Sequence, residues 1–280
     1  MSRTIPYDSS FEALLKPCAG IEPFDAAEIN SDAVLCAELA RLVYCRFEDD
    51  PAILQYVTAQ LEVIGFDPPE IFNHRSLQGF VAADSTTKRA VLVFRGTEPK
   101  NPEDVFTDLD ANLVSWAGQG SVHQGFAKSL AGAWPDIEAI LNRHRDKQFL
   151  YTGHSLAAAL ATLAAALRRP EKLISFGSPR VGNDAFVESI ANVDHERYVD
   201  CCDGVCKVPP KLASYRHAGK KKYINRHGAL IGDSSTLDVV ADQAKAEAEY
   251  LLDVTIKLPL RHFADHAPIN YIYALRAIGL

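Results

Sequence analysis

The chain has 280 residues, of which 48% are hydrophobic and 23% charged, and its formal net charge is −7. Such a length is enough to bury a substantial core in one large domain over residues 1–280, and the acidic balance argues against a nucleic-acid partner, which calls for a basic face. No stretch approaches the ~20 apolar residues of a membrane-spanning helix. The first residues lack the apolar core of a signal peptide, so the chain is expected to be cytoplasmic, exported without a leader, or a mature form.

Residues 1–30 form an N-terminal extension before the first periodic segment. Ser31 to Phe47 opens on a Ser-Asp cap, carries Val34, Leu35, Leu39, Leu42 and Val43 at helical spacing, and predicts a helix. Pro51 to Ile64 predicts a second helix, opened by proline. Gln78–Asp84 and Ala90–Arg95 read as paired strands around a polar turn. Gly96 to Val122 is a long connection with Pro99, Pro102 and several acids, a length that usually signals a functional loop. Gln124 to Arg145 predicts a helix around Pro135. Phe149–Tyr151 reads as a strand and Leu156–Leu167 as an Ala/Leu-rich helix. Leu173–Phe176 and Glu196–Val199 read as strands, Ala213–Arg216 with Lys222–Asn225 as a hairpin, and Thr236–Leu252 and Ile269–Ile278 as helices. Alternating strands and helices predict an α/β fold with a mostly parallel sheet covered on both faces.

Gly153-His-Ser-Leu-Ala157 sits between a strand and a helix. A serine at such a turn is pushed out of the backbone with its hydroxyl exposed, beside the free N–H groups and positive end of a helix. That makes Ser155 a candidate nucleophile. A serine needs a base to take its proton and an acid to orient the base. The histidines after it are His195, His217, His227, His262 and His266, and composition does not choose among them. His266 stands in a loop before the final helix. Asp203 follows a strand and precedes a turn, with Asp200 its nearest competitor. Thr97 ends a strand in Val93-Phe-Arg-Gly-Thr97. Its N–H and hydroxyl, with the N–H of Leu156, would suit an oxyanion.

The six cysteines do not resemble a disulfide framework, and free thiols are expected. Cys201, Cys202 and Cys206 lack a C-x-x-C pair and a nearby fourth ligand, so no metal site is expected. Lys220-Lys-Lys222 reads as a solvated turn.

Together these windows resemble the class 3 lipase family of α/β-hydrolases. The matching pieces are Val93-Phe-Arg-Gly-Thr97, Val122-His-Gln-Gly-Phe126, Thr152-Gly-His-Ser-Leu156, Ser175-Phe-Gly-Ser-Pro-Arg-Val-Gly-Asn183, Asp203-Gly-Val205, Tyr215-Arg-His-Ala-Gly219 and Asp265-His266, in the family's order. The resemblance implies an α/β-hydrolase fold with Ser155 as nucleophile, Asp203 as acid, His266 as base, and Thr97 and Leu156 as the oxyanion hole, with no cofactor. It also implies a lid, expected over residues 98–119, whose apolar stripe would be Val105, Phe106 and Leu109 with Trp116. The family usually carries glycine where Ala157 stands.

The implied function is hydrolysis of acylglycerols or other fatty-acid esters, with a lipid–water interface as one setting for the substrate. Phospholipase A1 or feruloyl esterase activity on the same fold is the alternative. A catalytically silent binding protein would be expected to lack a member of the Ser-His-Asp set.

Overall fold

The computed structural model describes residues 5–75, 77–96, 112–211, 214–232, 235–252 and 260–279. A short helix α1 (Phe11–Leu15) precedes α2 (Asp32–Leu42) and α3 (Pro51–Val63). The Ser31 hydroxyl caps α2 by accepting from Val34 N, and Asp50 caps α3, whose first residue is Pro51.

The strands β1 (Glu70–His74), β2 (Leu77–Ala83) and β3 (Arg89–Phe94) form an antiparallel meander. A two-stranded ribbon, β4 (Leu113–Ser115) and β5 (Ser121–His123), leads into the long helix α4 (Gln124–Arg143). Then come β6 (Gln148–His154), α5 (Leu156–Leu167), β7 (Lys172–Phe176), α6 (Asp184–Ser189) and β8 (His195–Asp200). The chain continues through β9 (Lys220–Ile224), β10 (Leu230–Ile231), α7 (Thr236–Leu252), α8 (Arg261–Ala264) and α9 (Pro268–Ile278).

The main sheet has eight strands in the order β1-β2-β3-β6-β7-β8-β9-β10. From β3 through β9 neighbouring strands are parallel. Strand alternation sends Ala90, Leu92 and Phe94 into one apolar layer with α4 and α5, and Val91 and Val93 into the other with α2 and α9. The predicted α/β-hydrolase architecture is the one observed. Among the described residues no helix is long and apolar enough to cross a membrane.

Two expectations are corrected. The predicted hairpin of 213–216 with 222–225 does not form: β9 runs parallel to β8, pairs antiparallel with β10, and Arg216 instead bridges Gly182. Local turn signals suggested a neighbour in sequence, but the parallel sheet supplied a larger partner. Cys18 and Cys45 are not free thiols; they form a disulfide with Cα atoms 5.2 Å apart, tying the segment after α1 to the end of α2. Sequence spacing cannot reveal such a pair. Cys36, Cys201, Cys202 and Cys206 are free and buried. Of the residues expected to form a lid, 113–115 lie in the β4–β5 ribbon and Trp116 is buried in the α4/α5 layer. Val105, Phe106 and Leu109 lie outside the described residues.

Candidate active site

The site is assembled at the carboxyl ends of the parallel strands, where open α/β sheets gather their ligands. Ser155 stands between β6 and α5 with φ 60° and ψ −129°. This is a conformation L-residues seldom hold, costing about 1–3 kcal/mol, and the surrounding structure must enforce it. The Ser155 N–H donates to Phe176 O at 2.9 Å, clamping the turn to the neighbouring strand. A Cβ on Gly153 would lie 2.6 Å from the Ala157 carbonyl carbon and 2.9 Å from the Ala157 Cβ, so the close helix–strand crossing requires glycine there. Ala157 itself is fully buried and fits without displacing the turn.

The His266 Nε2 and Ser155 Oγ are 2.8 Å apart, and His266 Nδ1 lies 2.9 Å from Asp203 Oδ2. All three side chains are buried, with Ser155 the most exposed at 5%. The other histidines have different partners. His195 meets Ser175 Oγ, His217 donates to Cys206 O, and His262 stacks on Phe263. The His227 backbone N–H donates to Asn225. Asp203 follows β8 in a tight turn, where its Oδ1 accepts from Val205 N at 2.9 Å. Asp200 is the last residue of β8, and its N–H donates to the Tyr271 hydroxyl. Leu156 begins α5 directly after Ser155, where helical N–H groups have no intrahelical acceptor. Thr97 lies outside the described residues.

Several contributors went unread in the sequence. Tyr271, on the first turn of α9, donates its hydroxyl to Asp203 Oδ2 at 2.5 Å. Burial and the neighbouring Asp203 carboxylate hold that phenol well above its usual pKa, so it remains a donor. Gly177, after β7, has φ 57°, and a Cβ there would sit 2.8 Å from Asp203 Oδ2 and 2.9 Å from His266 Nδ1. It leaves the space in which Asp203 and His266 meet.

The His266 loop is held from behind. His154 Nε2 lies 2.8 Å from His266 O; since a carbonyl only accepts, Nε2 carries the proton and Nδ1 accepts from the Tyr44 hydroxyl at 3.2 Å. Burial pushes His154 well below the usual histidine pKa, which keeps it neutral. Asp265 accepts from Tyr7 Oη at 2.7 Å, Cys202 N at 2.9 Å and Arg261 Nε at 3.2 Å. The N-terminal segment is thus part of the frame around His266. Cys201 and Cys202 sulfurs lie near the Asp265 carboxylate. Its oxygens are already engaged by these donors.

A sequence model of the family described as lipase (class 3) matches residues 91–213. A secreted mono- and diacylglycerol lipase of Fusarium solani is 31% identical over 161 residues, covering 52% of this chain and 47% of that protein. The chain spans about half the length of this curated relative. A triacylglycerol lipase structure described as having a serine protease triad at its catalytic centre is 25% identical, with a TM-score of 0.58, over 73% of this chain and 83% of the other. A lipase of Rhizopus microsporus var. chinensis shares the fold at 21% identity and a TM-score of 0.60, covering 88% of this chain and 94% of that one. The β3-to-β8 core that carries Ser155 and Asp203 is the part of the chain that is similar to the class 3 lipases.

Proposed function

We propose that this protein is a serine carboxyl-ester hydrolase acting on acylglycerols or other fatty-acid esters through an acyl-enzyme. The observation that carries the reading is the continuous hydrogen-bonded chain Ser155–His266–Asp203–Tyr271 at the mouth of the parallel sheet. His266 takes the Ser155 proton as Oγ attacks the ester carbonyl. The Leu156 N–H at the positive end of α5 receives the developing oxyanion, with Thr97 the second donor expected from the resemblance. Each such donor is worth about 3 kcal/mol. His266 then gives its proton to the leaving alcohol, and the same imidazole activates the water that releases the acid. Asp203 holds the imidazole in the tautomer that carries hydrogen on Nδ1 and offsets its positive charge.

Retention of the full chain of groups argues against a silent binding protein. The acylglycerol preference rests on the names of the relatives. The Cys18–Cys45 disulfide, together with a secreted relative, favours work outside the reducing cytosol. Hydrolysis of p-nitrophenyl esters across acyl lengths, beside triglyceride emulsion and phosphatidylcholine, tests the reading. Turnover of the esters and the emulsion supports it. Preference for phosphatidylcholine would transfer it to phospholipase A1, and no turnover of any of them would refute it.

A further inference from the structure

Strands β7, β8 and β9 turn one face toward the loops that carry Arg180–Asn183, Val205–Pro209 and Tyr215–Gly219. Arg180 N donates to Val208 O, Arg216 bridges Gly182, and His217 Nε2 donates to Cys206 O at 2.8 Å, so these loops are knit into one cover. Beneath it, in register, lie Ser175 of β7 and Arg197 of β8, with His195 two residues before Arg197 on the same face and the exposed Lys221 of β9 next in register.

Arg197 is buried with 6% of its surface exposed, and its Nε has no hydrogen-bond partner. Among the described residues no carboxylate pairs with its guanidinium. The acidic groups in its electrostatic reach are the Cys206 thiol and the Tyr271 phenol, and burial holds both protonated. Its other neighbours add positive charge or none: Arg180, Lys221, His195 and His217. Arg180 is turned away onto the carbonyls of Lys207 and Pro209. His195 Nδ1 and His217 Nδ1 are also buried without a partner. A buried guanidinium without counter-charge is among the costliest arrangements a fold can contain, and one with an unsatisfied buried Nε–H is costlier still.

We propose that a small inorganic anion of the halide class binds beneath these loops, held by the Arg197 guanidinium. The ligand must be small, because a Cβ on Gly219 would already lie 2.4 Å from the His195 ring. A monovalent anion supplies the missing counter-charge and accepts from the guanidinium. A water molecule would satisfy N–H groups and leave the charge uncompensated. Arg197 is on β8, and the hydrogen bonds that join Ser155, His266 and Asp203 do not include it, so anion occupancy is read through stability rather than turnover.

The test is thermal unfolding of the whole chain in sodium chloride and in sodium gluconate at equal ionic strength, the gluconate anion being too large to enter. Chloride at about 100 mM is expected to raise the midpoint saturably by about 2–4 °C over gluconate. Arg197→Met, which removes the charge and keeps the stem, should have the same midpoint in both salts. A bromide-soaked crystal of the wild type should show an anomalous peak in hydrogen-bond range of Arg197, which decides the question even if the variant does not fold. Equal wild-type midpoints in the two salts, a chloride effect that survives in Arg197→Met, or no bromide at Arg197 would each overturn the proposal.

Discussion

The Tyr271 hydroxyl donates to Asp203 Oδ2, the same oxygen that faces His266 Nδ1. One carboxylate oxygen therefore takes hydrogen bonds from the His266 imidazole and from a buried phenol on α9. The phenol withdraws negative charge from the oxygen that attracts the imidazole. Tyr271→Phe keeps the ring and removes the donor. Turnover of a p-nitrophenyl ester should fall roughly 10-fold with KM little changed, in proportion to the loss of one charge-assisted hydrogen bond. The acid limb of the pH–activity profile should move to higher pH, because the undiminished carboxylate holds the imidazolium more tightly. An unchanged profile would mean that Tyr271 only packs.

His266 and His262 are four residues apart in sequence, yet only His266 reaches Ser155. His262 is half-buried against Phe263, and burial lowers its pKa. His266→Ala should lose about 10⁴-fold or more in turnover, the scale of removing a member of such a set. His262→Ala should keep activity within a few-fold. Side-by-side kinetics of the two purified variants decide it; a larger loss at His262 would reverse the assignment.

Much of this site was legible because it is local. The elbow needs a strand, a serine and a small-residue helix in sequence, and Leu156–Leu167 matches α5 residue for residue. Long-range partners were not legible. Tyr271 reads as one apolar residue in a helical stripe, and only the packing of α9 against β8 brings it to Asp203. Gly177 lies inside one of the pieces that carry the family resemblance, but its positive φ and its proximity to both His266 and Asp203 exist only in the fold. Tyr7 sits in a segment with no periodicity, and its bond to Asp265 spans nearly the whole chain. The hairpin expectation failed for the converse reason: a local turn pattern lost to parallel pairing with β8.

Three buried histidines make the fold sensitive to acid. Burial lowers His154 and His217 well below their usual pKa and His195 to about 3, with the positive charge of Arg197 adding to the last two. His195 stays neutral in the folded chain at pH 5, whereas in the unfolded chain all three take up protons below about 6.5. Their contribution is therefore intact above pH 6.5 and is lost as pH falls below it, continuing toward about 3 for His195. Each proton taken up only on unfolding adds a slope of about 1.4 kcal/mol per pH unit. Urea unfolding at pH 7 and pH 5 measures this directly. His195→Gln should lower the slope near pH 5 by about 1.4 kcal/mol per pH unit, and an unaltered slope would show that other groups set the acid limit.

The Cys18–Cys45 disulfide closes a loop with a sequence separation of 27. By chain entropy a loop of that size contributes about 3–4 kcal/mol. Cys18→Ser with Cys45→Ser should lower the thermal midpoint by roughly 7–14 °C. The loss should reach the site as well, because the same N-terminal segment carries Tyr7 to Asp265. Differential scanning calorimetry of the double variant checks the first claim and ester turnover at 25 °C the second. A midpoint within ~1 °C of wild type would mean the cross-link does not constrain the unfolded chain.

The central claim is that Ser155 forms the acyl-enzyme. Its most direct test is intact-mass and peptide mapping after treatment with a p-nitrophenyl alkylphosphonate, which reacts only with an activated serine. A single adduct on Ser155 is expected, with loss of ester hydrolysis in step with adduct formation, and neither adduct nor activity in Ser155→Ala. An adduct on another residue, or an active Ser155→Ala protein, would contradict it.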